Sequence, residues 1–181
     1  VQMITEFTYK NARVLLNGVM LPWLNRYALI KLLKLDIKDW RVFEWGSGSS
    51  TLWWQDHVKE IISIEHNYIF YNMIKREIKE NCTLYYRKLI RGKVCPYVYG
   101  IHKPEGQFDC VIIDGRNRVH CIQQIEDKVK DGGLIILDNS ERERYKKGID
   151  LLNSHFNLYY KSPVIKSIPS CKWETTIWIN E

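Results

Sequence analysis

Four apolar runs in this chain each carry an acidic residue at or near their end: RVFEW at 41–45, EIISIE at 60–65, FDCVIID at 108–114 and GLIILD at 133–138. Between them lie stretches with helical periodicity. A strand that is apolar along its whole length needs cover on both faces. Such strands alternating with amphipathic helices predict a parallel sheet between two helical layers, joined by right-handed crossovers.

The helical stretches are read from apolar spacing. Residues 21–34 place Leu21, Leu24, Ala28 and Leu32 on one side, and 49–56 opens a second helix. Residues 67–81 carry Ile74 and Ile78; 116–130 carry Val119, Ile122, Ile125 and Val129; 140–155 carry Tyr145, Ile149 and Leu152. A weaker strand is expected at 83–86. Two more, at 158–160 and 175–179, leave no room for a helix between them, so they are expected to pair antiparallel. Trp23, Trp53 and Trp54 read as core. The stretch 87–107, with Gly92, Pro96, Gly100, Pro104 and Gly106, reads as a long functional loop. Its Tyr97, Tyr99 and His102 are candidates for one wall of an acceptor pocket.

At 181 residues the chain is expected to form one domain, with an N-terminal helical segment at 1–39 and an α/β core at 40–181. It starts at Val1, consistent with a domain excised from a longer protein. Five cysteines without a CxxC spacing argue for reduced thiols, hence a cytoplasmic location, rather than a zinc site or disulfide framework. No apolar run approaches 18 residues, so no membrane span is expected. The formal charge of +6 suits an anionic partner such as nucleic acid or a phosphorylated substrate, or serves solubility alone.

In an open parallel sheet, ligands bind beyond the carboxyl ends of the strands. Those ends carry Glu44 and Gly46, then Glu65, Asp114, and Asp138 with Asn139. The loop Gly46, Ser47, Gly48, Ser49, Ser50 lets backbone come close to a ligand, with amides facing into the following helix. Glu65, 19 residues after Gly46, can accept hydrogen bonds from both hydroxyls of a ribose. His66 can flank an adenine or lie on the surface. A carboxylate at Glu44 opposes a pyrophosphate but favours a cation. S-adenosylmethionine has an ammonium and a sulfonium and no phosphate, so charge selects it over a nicotinamide dinucleotide.

FEWGSGSST resembles the first motif of class I S-adenosylmethionine-dependent methyltransferases, with Ser50 in place of the third glycine. ISIEH, FDCVIIDG and GGLIILDN resemble that family's motifs after the second, fourth and fifth strands. The usual acid after the third strand is missing from LYYRKL. The resemblance implies a Rossmann-like three-layer sandwich with a mostly parallel seven-stranded sheet and a reversed last strand. It also implies S-adenosyl-L-methionine as cofactor, held by Glu44, residues 46–50, Glu65, His66 and Asp114.

Asp114, Asp138 and Asn139 stand where metal-dependent O-methyltransferases hold a divalent cation. This similarity implies a Mg²⁺ or Mn²⁺ site that lowers the pKa of an acceptor hydroxyl. Without metal, Asp138 or His120 is the candidate general base, though His120 also fits a packing role. Arg116 and Arg118 are candidates to bind an acidic or sugar substrate, or are solvated first-turn residues. Methylation of a hydroxyl on a small molecule or glycan is the leading expectation. Nucleic-acid methylation and a non-catalytic interaction module are the alternatives. No Asn-Pro-Pro-Tyr motif for exocyclic amines follows the fourth strand.

Overall fold

The computed structural model describes residues 7–10, 13–16, 19–90, 93–166 and 172–181. Three short strands come first, β1 (Phe7–Lys10), β2 (Arg13–Leu16) and β3 (Val19–Leu21), paired as an antiparallel sheet. The expectation of a helical segment at 1–39 is therefore corrected: its one helix among the described residues is α1 (Arg26–Leu32). The overlooked signal was Asn17-Gly18 between two short apolar runs, a strong short-range hairpin cue.

The core then runs β4 (Arg41–Trp45), α2 (Ser49–Gln55), β5 (Glu60–Glu65), α3 (Tyr68–Lys75) and β6 (Cys82–Tyr86). It continues with β7 (Phe108–Ile113), α4 (Arg118–Ile122), β8 (Val129–Asp138), α5 (Lys146–His155) and β9 (Asn157–Lys161). The short pair β10 (Ile165–Lys166) and β11 (Lys172–Trp173) precedes β12 (Thr175–Ile179). The seven-stranded sheet has the order β6-β5-β4-β7-β8-β12-β9. Only β12 is reversed, antiparallel to both β8 and β9. This is a Rossmann-like, mostly parallel sheet with one reversed strand.

Alternation along each strand divides the core into two layers. Phe43, Trp45, Ile62, Ile64, Val111 and Ile113 face one cluster, which α4, α5 and residues 95–101 cover. Val42, Ile61, Cys110, Ile112 and Ile136 face the other, covered by α1 and α2 with Trp53 and Trp54. Cys82, Cys95, Cys110 and Cys121 are free thiols, all buried; Cys171 lies outside the described residues. No helix among the described residues is long and apolar enough to cross a membrane.

Helices are where periodicity misled. The helix expected at 116–130 is cut to Arg118–Ile122, because Val129 pairs with Phe108 and joins the sheet. Lys130 follows it there and binds Asp109 at 2.8 Å. The helix expected at 140–155 starts only at Lys146, after Asn139 turns the chain at φ 50° and a 3₁₀ turn spans Glu143–Tyr145. Within the stretch 87–107, Cys95, Tyr97, Val98 and Ile101 are buried in the first cluster. Tyr99 and His102 are exposed, and neither lines the two crevice cavities described below.

Candidate functional site

The order of the strands reverses between β4 and β7, which opens a crevice at their carboxyl ends. Two adjoining cavities fill it. One, of about 360 Å³, is lined by Gly46, Ser47, Glu65, His66, Asp114 and Gly115, with Arg116 and Arg142 at its edge. The other, of about 260 Å³, is lined by residues 46–50, Asp114, Trp23, Phe70 and Met73. Both volumes suit a small-molecule site. The crevice thus gathers most of the residues singled out for cofactor binding; Trp23, expected in the core, stands in its wall.

Gly46 and Gly48 have different reasons to be glycine. Gly46 sits at φ 96°, and a Cβ there would lie 2.8 Å from the Gly115 Cα. The turns after β4 and β7 touch through bare backbone. Gly48 is extended, and a Cβ on it would meet nothing within 4 Å. The protein itself does not need a glycine there. Gly46→Ala is expected to destabilise the fold by about 2 kcal/mol or more, from strain and backbone clash. Gly48→Ala should leave the melting temperature within a few degrees while weakening ligand binding, as thermal melts and titration calorimetry would record. A fully bound ligand in the Gly48→Ala variant would move the ligand away from this loop.

Glu65 ends β5 in the wall of the crevice and is 3% exposed. Oε2 accepts from the Ser47 amide at 3.0 Å and from Ser47 Oγ at 3.3 Å. Oε1 accepts from the amides of His66 at 2.8 Å and Asn67 at 2.6 Å. Burial pushes this carboxyl up, but the His66 ring and the Asn67 amide more than offset it and hold it below its ordinary value. His66 Nδ1 is buried and lies 2.9 Å from Glu65 Oε1. Ser47 Oγ and the His66 ring are rotatable groups standing where a diol could approach Glu65.

Glu44 does not line the crevice, which corrects the expectation that it faces a cationic ligand. It lies in the middle of the sheet, wholly buried and in register with Ser63. Its Oε2 accepts from Thr51 Oγ1 at 2.5 Å and Ser63 Oγ at 2.7 Å, and its Oε1 accepts from Ser50 Oγ. Thr51 Oγ1 in turn accepts from the Gly48 amide at 3.0 Å. The acid braces the glycine turn from beneath. Burial pushes its carboxyl up to about 7, against the lowering effect of the three hydroxyls. Thr51 and Ser63 were missed by the sequence reading; the signal was a run of hydroxyl residues beside an acid.

Asp138, a candidate metal ligand and base, is 2% exposed and lines neither cavity, and Asn139 turns the chain directly after it. Asp138 pairs across the reversed strand with Thr175, and its Oδ1 accepts from Thr175 Oγ1 at 2.6 Å and Trp173 Nε1 at 2.8 Å. The Asn25 amide reaches the same Thr175 hydroxyl at 3.1 Å. Asp138 therefore ties β8, β12 and the start of α1 together inside the core. Among the described residues, no group of three or more His, Cys, Asp or Glu is placed to hold a metal ion.

Arg118, a candidate substrate residue, lines the larger cavity but is held by the backbone around it. It is 5% exposed, and its guanidinium spans the ends of two strands. Nε donates to the Gly115 carbonyl at 2.9 Å, Nη2 to the Asp114 carbonyl at 2.6 Å, and Nη1 to the Asp138 carbonyl. Nη2 also pairs with Asp114 Oδ1 at 2.8 Å. Burial raises the Asp114 carboxyl above its ordinary value despite this partner. His120 lies on α4 in a neighbouring cavity with Arg116, Arg144 and Tyr145, and lines neither cavity that holds Glu65 or Gly48. Tyr97 was read as an outer wall. It is fully buried, its hydroxyl accepts from the Arg116 amide at 3.2 Å, and its ring meets His66 edge-on at 5.4 Å.

No protein-family model matches the sequence, and no curated protein is similar to it. Solved structures share its fold. Precorrin 8w decarboxylase from Methanobacterium thermoautotrophicum superposes with a TM-score of 0.62 at 17% identity, over 85% of this chain and 88% of that one. An rRNA methylase from Streptococcus thermophilus gives 0.66 at 12% identity, over 87% and 98%. The N-methyltransferase NodS from Bradyrhizobium japonicum, in complex with S-adenosyl-L-homocysteine, gives 0.57 at 13% identity, over 86% of each chain. At these identities the likeness is one of fold.

Proposed function

We propose that the protein transfers the methyl group of S-adenosyl-L-methionine to a hydroxyl of a sugar, glycan or other small molecule. The observation that carries this reading is the open crevice between Glu65 and Asp114, floored by a glycine whose missing side chain the protein itself does not require. Glu65 is the residue to hold the ribose, with Ser47 and His66 giving way. The Ser47–Ser50 loop is the place for the amino-acid end. When bound, the cofactor supplies an electrophilic methyl on a sulfonium.

Asp114 is the remaining candidate base. Its Oδ1 is taken by Arg118, while Oδ2 has no hydrogen-bond partner among the described residues. The carboxyl lines both cavities. With the cofactor bound, Oδ2 would be the atom placed to accept the proton of the acceptor hydroxyl. Arg118 keeps the carboxyl aimed.

Asp114→Asn is expected to lower turnover about 100-fold. In the wild type, rate should rise with pH through a carboxyl pKa above the ordinary aspartate value, since only the ionised form accepts a proton. Transfer of radiolabelled methyl to a panel of sugars and phenols, across pH, tests this. An unchanged rate in Asp114→Asn would remove Asp114 as base. Failure of wild-type protein to bind S-adenosylhomocysteine in calorimetry would remove the cofactor assignment.

A further inference from the structure

Arginines collect along the side of the crevice away from Glu65. Arg116, after β7, is exposed, and Arg142, after β8, is half-buried; both edge the larger cavity. Arg142 and Arg144 share a neighbouring hollow with Lys172, and Arg144 and Arg116 share the cavity on α4. The three concavities therefore join into one cationic rim.

The acids nearby do not neutralise it. Glu141 Oε2 is used by the Glu174 amide at 2.9 Å, and its Oε1 lies 3.5 Å from Arg142 Nε, a long pair. Glu143 lies 3.9 Å from Lys146 and is almost fully exposed. Asp114 is paired with Arg118. Arg116 forms no ion pair with a described residue. Arg144 stacks 4.9 Å from the centroid of the Tyr145 ring and donates to its hydroxyl at 3.0 Å, which holds the guanidinium without neutralising it.

We infer that this rim seats a phosphate group of a small acceptor, a deepening that rests on the methyl-transfer reading above. Several guanidinium planes around one cavity suit a tetrahedral anion, whose oxygens point in several directions; a carboxylate is satisfied by one planar fork. Arg116 and Arg142 face a bounded cavity next to Asp114, which suits a small ester over a long strand. The acceptor then carries its hydroxyl toward Asp114 and its phosphate toward Arg116, Arg142 and Arg144.

The test is titration calorimetry at constant ionic strength. S-adenosylhomocysteine is titrated first, then inorganic phosphate onto the loaded protein. Saturable phosphate binding is expected, weakened about tenfold or more in Arg116→Gln and in Arg142→Gln. Lys146→Gln, outside the rim, should match the wild type. Wild-type protein that binds S-adenosylhomocysteine but not phosphate, or Arg variants that bind phosphate as tightly as wild type, would overturn the inference and leave methyl transfer standing. No binding of S-adenosylhomocysteine would remove the reading beneath both. A single-stranded oligonucleotide that binds far more tightly than phosphate, with affinity falling steeply with salt, would assign the rim to nucleic acid and overturn the small acceptor.

Discussion

Replacing Glu65 by alanine is expected to lower affinity for S-adenosylhomocysteine about 1000-fold, or about 4 kcal/mol. Two losses combine. A ribose would form two hydroxyl hydrogen bonds to an ionised carboxylate, each worth roughly 1.5–3 kcal/mol. The amides of Ser47, His66 and Asn67 would also lose the acceptor that sets the shape of both turns. Glu65→Gln separates the two, since it keeps the bulk and one acceptor oxygen while removing the charge; about a 30-fold loss is expected. Because the folded carboxyl lies below its ordinary value, it is ionised at neutral pH. Its contribution to folding is present above the unfolded value and fades as pH falls through the lower folded one. Calorimetry with thermal melts as a folding check measures both variants. Wild-type affinity in a folded Glu65→Ala protein would separate this acid from the ligand.

Glu44→Ala is expected to cost about 3–5 kcal/mol of stability, since it strands Ser50, Thr51 and Ser63 hydroxyls in the core and leaves a cavity. Glu44→Gln behaves differently with pH. Burial pushes the native Glu44 carboxyl up to about 7 from an ordinary 4.5, so between those values the folded chain holds a proton that the unfolded chain releases. Stability must then fall as pH rises through that window, by up to roughly 3 kcal/mol for the full shift. Asp138, also pushed up to about 7 by burial, acts in the same direction. Urea unfolding at pH 5 and pH 7.5 should show Glu44→Gln gaining on the wild type at the higher pH. A difference between the two proteins that is independent of pH would mean that Glu44 does not ionise inside the core.

The acids at the strand ends were legible as a set but not as individuals. Glu44, Glu65, Asp114 and Asp138 all belong to the strands that build the crevice, yet only Glu65 and Asp114 line it. Strand alternation alone cannot tell a carboxylate aimed at a crevice from one satisfied by hydroxyls on neighbouring strands. Ser63 lies 19 residues from Glu44 and Thr175 lies 37 from Asp138. Arg118 reads like any first-turn arginine until three carbonyls at the ends of two strands are seen around it. Arg142 escaped notice because residues 140–145 were read as helix, whereas the turn at Asn139 swings them over the crevice.

Local pattern by itself determined the sheet: continuous apolar runs must be covered on both faces, and glycine at Gly46 is demanded by the turn that follows the first parallel strand. Tertiary structure decided which polar groups remain available to a ligand. Hydrogen bonding in a dry interior is settled between strands far apart in the chain: Glu44 and Asp138 are satisfied there, whereas Glu65 and Asp114 still face the crevice.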